Sequence, residues 1–125
     1  MKQVSDYELE LMKVIWAKEG TALYAGIVAG LEEKGISLTK NTILSLLSRL
    51  IDKGILKINK MGRRNIYTAI VSENEYQTDQ TVRFLDKIYE GNTKGLVSTL
   101  IAKNLLSQND YKDLQSQWEE DSETK

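Results

Sequence analysis

The chain has 125 residues, 41% of them apolar and 28% charged, a composition that suits one ordinary globular domain or two very small ones. It has no cysteine, histidine or proline. That excludes disulfides, thiol nucleophiles, zinc–thiolate sites and any Ser-His-Asp triad, and it removes the commonest general base and the commonest transition-metal ligand. The net charge of −1 conceals a split: residues 1–71 carry 11 Lys/Arg against 7 Asp/Glu, and residues 72–125 carry 6 against 11.

Ser5 and Glu8 have the spacing of a capping box and predict a first helix over Asp6–Lys18, with Leu9, Met12 and Trp16 on one face. Gly20 closes it. A second helix is expected over Ala22–Lys34, carrying Leu23, Ile27 and Leu31 and closing at Gly35. The uncharged stretch from Thr21 to Leu31 is too short to span a bilayer, which needs about 20 residues. No secretory signal precedes it, so the expectation is a cytoplasmic protein without membrane insertion.

Thr39 caps a third helix that ends near Lys53, ahead of Gly54. Its residues Ile43, Leu46, Leu47 and Leu50 recur at i, i+3, i+4 and i+7, the spacing of a core-facing stripe. The opposite side presents Lys40, Asn41, Thr42, Ser45, Ser48 and Arg49. Leu44 lies near that polar side and fits either a methyl contact or the core.

Past Gly54 the period shifts toward two. Ile55–Asn59 and Asn65–Ile70 are β-branched and aromatic and read as strands, joined by Lys60-Met61-Gly62-Arg63-Arg64. From Lys40 to Arg64 the charges are Lys40, Arg49, Lys53, Lys57, Lys60, Arg63 and Arg64 against Asp52 alone. Three more helices are expected, over Glu73–Glu90, Thr93–Lys103 and Gln108–Glu119. Ser72 with Glu75, and Ser107 with Asp110, repeat the capping-box spacing. Asp110, Asp113, Glu119, Glu120 and Asp121 fix no closed metal geometry and read as solvating the last helix and a short acidic tail. No metal and no cofactor are expected.

Three helices followed by a hairpin make a mainly α fold, a winged helix-turn-helix over residues 1–71. The third helix is its candidate recognition helix. Short hydrogen-bonding side chains with cations suit major-groove edges and phosphates. Thr39, Lys40, Asn41, Thr42, Ser45 and Arg49 are therefore the expected contacts to double-stranded DNA, with Arg63 and Arg64 at the wing tip. Residues 72–125 carry apolar stripes: Val82, Leu85, Ile88 and Tyr89, then Leu96, Val97, Leu100 and Ile101, then Tyr111, Leu114 and Trp118. So small a unit buries too little surface alone. The expectation is a dimerisation unit that shares its core with a second copy and presents two recognition helices to a palindrome.

The residues also resemble a known family. Glu8 through Trp16, Thr42-Ile43, Leu46 through Leu50, Lys53-Gly54, Arg64, Tyr67, Phe84 through Gly91, Gly95-Leu96-Val97 and Leu106-Ser107 resemble, in order and spacing, the penicillinase-repressor family. That family includes the β-lactamase, methicillin-resistance and copper-responsive repressors. The resemblance implies a homodimeric repressor of antibiotic-resistance type on operators with TACA/TGTA half-sites; no enzymatic activity is expected, because the chain has no histidine, no cysteine and no phosphate-cradling glycine motif. It places DNA contacts at Asn41, Thr42, Ser45 and Arg49. It further implies inactivation by a membrane sensor protease that cuts near Thr99 and Leu100. The chain departs from the family at Asn41, where lysine is common, and at Leu44, where a cationic or polar residue is found in some members. It lacks the copper-responsive cysteine cluster, and it lacks the asparagine–aromatic pair at the cleavage position. Two other readings stay open on the residues: a protein-interaction adaptor, and a regulator switched by a small-molecule ligand.

Overall fold

The computed structural model describes residues 1–124; Lys125, the last residue of the acidic tail, lies outside the described residues. The element order is α1 (Asp6–Ala17), β1 (Thr21–Leu23), α2 (Tyr24–Glu33), α3 (Lys40–Asp52), β2 (Leu56–Met61), β3 (Arg64–Ala69), α4 (Glu73–Tyr89), α5 (Thr93–Ala102) and α6 (Gln108–Thr124). The chain divides into two compact units, Met1–Gln80 and Thr81–Lys125.

The first unit is a winged helix. Leu11, Met12 and Ile15 of α1, Ile27 and Leu31 of α2, and Ile43, Leu46, Leu47 and Leu50 of α3 are buried together with Ile55, Leu56 and Tyr67. The third helix thus buries the stripe its period predicts. Gly30 lets α1 and α2 close on each other: a Cβ there would stand 2.4 Å from Val14 Cγ1. The three strands form an antiparallel sheet in the order β1-β3-β2.

That sheet corrects two expectations. Thr21–Leu23 is a strand, paired Thr21 to Thr68, Ala22 to Tyr67 and Leu23 to Ile66, so α2 starts at Tyr24 rather than Ala22. Three residues carry no readable period, and sheet pairing overrides the helical preference of alanine. The hairpin is also tighter than expected. Met61 pairs with Arg64, which leaves only Gly62 and Arg63 in the turn. Gly62 has φ 65°, as a two-residue turn with glycine at its first central position requires.

The start of α4 is fixed within the first unit. Tyr76 is buried, its ring centroid lies 5.8 Å from that of Trp16, and its hydroxyl accepts the Val4 N–H at 3.3 Å. Trp16 Nε1 donates to the Val71 carbonyl at 2.9 Å.

All three capping boxes form, at Ser5/Glu8, Ser72/Glu75 and Ser107/Asp110. Asn92 caps α5 by accepting the Gly95 N–H at 3.0 Å. The last helix runs on to Thr124, past the expected end at Glu119. From Gln77 to Asp121 no described residue is buried. No helix among the described residues is long and apolar enough to cross a membrane.

Candidate nucleic-acid interface

The recognition-helix candidate is held at both ends. At its start, Thr39 Oγ1 accepts the Thr42 N–H at 3.2 Å and donates to Thr42 Oγ1 at 2.9 Å, so the Thr39 hydroxyl serves the cap. At its end, Lys53 Nζ reaches Glu8 Oε2 at 2.6 Å and the Gln3 carbonyl at 3.1 Å. Glu8 is only 2% exposed. Burial pushes its carboxyl up, but the bond from Lys53, the Ser5 N–H and the Lys53 charge together hold it below its ordinary 4.5. The capping box was legible for Glu8, whereas this ion pair joins residues 45 positions apart and left no local signal.

With the core stripe buried, the other face of α3 is open. Thr39, Lys40, Asn41, Thr42, Ser45, Ser48 and Arg49 are all exposed. Asn41, Thr42, Ser45 and Arg49 line one shallow groove of about 250 Å³ together with Leu46. The four residues expected to read DNA are therefore adjacent in space. A second, larger cleft of about 590 Å³ is lined by Leu23, Tyr24, Ala25, Lys40, Leu44, Arg64, Asn65 and Tyr67. It joins α3 to the start of α2 and to β3.

The cations sort into two kinds. Lys53 is committed to Glu8, and Lys34 and Lys13 to Glu10. Among the described residues no carboxylate pairs with Lys40, Arg49, Lys57, Lys60, Arg63 or Arg64. These six charges lie on α3 and the wing and are available to phosphate. The described residues contain no group of three or more carboxylates placed to hold a metal ion.

In the second unit the expected interface residues are all accessible. Val82, Ile88, Val97, Ile101, Leu114 and Trp118 are exposed, and Leu85, Tyr89, Leu96 and Leu100 are half-buried. Trp118 is 76% exposed. Phe84, Leu105 and Tyr111 are exposed apolar residues of the same unit. A cleft of about 530 Å³ opens among Val97, Leu106, Tyr111, Leu114 and Trp118. Thr99 and Leu100 lie inside α5, with Thr99 exposed and its hydroxyl donating to the Gly95 carbonyl at 3.1 Å.

The penicillinase repressor family profile matches residues 4–120. The chain belongs to that family. It is 33% identical over 112 residues to the penicillinase repressor of Bacillus licheniformis, covering 90% of this chain and 86% of that protein. It is 30% identical over 118 residues to the methicillin resistance regulatory protein MecI of Staphylococcus aureus strain N315, covering 91% of each. Among solved structures, the monomeric form of B. licheniformis BlaI in complex with the blaP half-operator is similar. It has 39% identity and a TM-score of 0.50, over 60% of this chain and 89% of that one.

Proposed function

We propose that this member of the family is a homodimeric transcriptional repressor, in which residues 1–71 read DNA and residues 72–125 dimerise. One observation carries the reading. The face of α3 turned away from the core gathers Asn41, Thr42, Ser45 and Arg49 in one groove, beside cations that have no carboxylate partner among the described residues. Thr39 and Lys40 open that helix, and Arg63 and Arg64 extend the cationic surface along the wing. The relative BlaI, solved on a half-operator, supports a palindrome whose two halves each take one winged helix. We take TACA/TGTA half-sites as the starting sequence. The place of work is then the cytoplasm.

The second unit has no buried residue among residues 81–121, yet three helices carry apolar stripes. A second copy laid against Val82, Leu85, Ile88, Tyr89, Leu96, Val97, Leu100, Ile101, Leu114 and Trp118 would supply the missing core. Repression would be relieved by cutting at Thr99–Leu100. That cut falls inside α5, the helix that carries Leu96, Val97, Leu100 and Ile101 of the proposed interface, so it would undo the dimer and its bivalent hold on DNA. A cognate sensor protease that leaves the chain intact would remove that part of the reading.

The test compares the full chain with residues 1–80 on a whole palindrome and on a single half-site. The full chain is expected to bind the palindrome as two copies and far more tightly than residues 1–80, and to lose that advantage on the half-site. Equal affinity of both proteins for the palindrome would contradict the dimeric reading.

A further inference from the structure

The outward side of α3 is polar except at one position. Leu44 is 38% exposed, whereas Leu46, Leu47 and Leu50 of the same helix are at 5%, 1% and 0%. The core therefore does not account for Leu44. At about 100° per residue, it lies roughly 70° to one side of the line through Asn41, Ser45 and Ser48, on the flank it shares with Lys40 one turn earlier. On that flank it borders the 590 Å³ cleft, whose other apolar walls are Leu23, Ala25 and Tyr67 and whose cations are Lys40 and Arg64.

Resting on the operator-binding reading, we propose that Leu44 is a specificity-determining residue that packs against the 5-methyl group of a thymine. The thymine methyl is the one apolar group that base pairs present in the major groove. A leucine held there gains contact from that methyl. Against a cytosine or adenine amino group it would remove water without returning a hydrogen bond. Lys40 and Arg64, which border the same cleft and have no carboxylate partner among the described residues, suit phosphates on either side of that base. The position thus offers the base pair a methyl contact in place of a hydrogen bond, and it sets a preference for a T·A pair there.

The experiment uses the full-length chain. Duplexes that it binds are selected from random DNA, and in the tightest of them each thymine is replaced in turn by deoxyuridine, which removes the methyl alone. One thymine per half-site is expected to lose about fourfold in affinity on replacement, the value of one buried methyl group. Leu44→Ala should bind the thymine and deoxyuridine duplexes equally at that position, and Leu44→Met should keep the discrimination. Because Leu44 is exposed, both variants should melt like the parent chain, and the comparison of duplexes on the parent chain stands even if one variant does not fold. If no thymine is methyl-sensitive in the parent chain, or if the sensitivity survives in Leu44→Ala, the inference fails while the operator-binding reading stands. If no sequence is enriched at all, the operator-binding reading fails and takes this inference with it.

Discussion

Arg49 and Lys53 stand one turn apart near the end of α3, and the structure gives them opposite duties. Lys53 closes on a buried carboxylate, and Arg49 is exposed beside Ser45. Lys53→Ala should therefore cost stability, about 2 kcal/mol for stranding a buried charge whose partner is itself a quarter exposed, measured by urea denaturation. Arg49→Ala should leave the denaturation midpoint unchanged and weaken operator binding by about 1–3 kcal/mol in titrations on the palindrome. Arg63→Ala, at the wing turn, should weaken palindrome and scrambled duplex alike and lower the salt slope by about 1. The Glu8 carboxyl is held below its ordinary 4.5, so its contribution is present above pH 4.5 and is lost as pH falls through the lowered folded-state value. Denaturation at a series of pH values should show Glu8→Gln less stable than the parent chain near neutrality and the gap closing in acid; a constant gap would contradict the ion-pair account. At this scale the sequence displayed Glu8 only as the partner of Ser5. Its second role depends on how α1 and α3 pack, which no local pattern encodes.

Among the elements, α3 was the most legible, because Ile43, Leu46, Leu47 and Leu50 repeat at helical spacing and all four are buried. The same pattern left Leu44 ambiguous. It sits on the flank of the wheel, and only its exposure separates it from the core. The strand β1 was not legible: Thr21-Ala22-Leu23 is too short to show a period, and its pairing partner lies in β3, more than 40 residues away. The packing of α1 on α2 yields a prediction of its own. Gly30→Ala would drive a methyl against Val14 and should lower stability by about 1–3 kcal/mol in thermal or urea denaturation. An unchanged melting temperature would mean that the two helices can separate at no cost.

Over the whole molecule, the two units divide the work unequally. The first has a core of fifteen buried apolar residues, ending at Tyr76, and the second has none among its described residues. The sequence put the change of role near Ser72, where charge and period shift. The compact first unit extends to Gln80 because Tyr76 packs against Trp16. Residues 1–80 should therefore fold alone and sediment as a monomer. A chain ending at Val71 should be less stable than that, since it loses Tyr76.

The most direct test of the account is binding of the full-length chain to a TACA/TGTA palindrome beside a scrambled duplex across a salt series. A dimeric operator-binding repressor should show a strong preference for the palindrome, two chains per duplex, and a steep fall with salt, each neutralised phosphate adding about −0.9 to the slope of log K on log salt. Equal and weak binding to both duplexes, with no sequence enriched from random DNA, would contradict it.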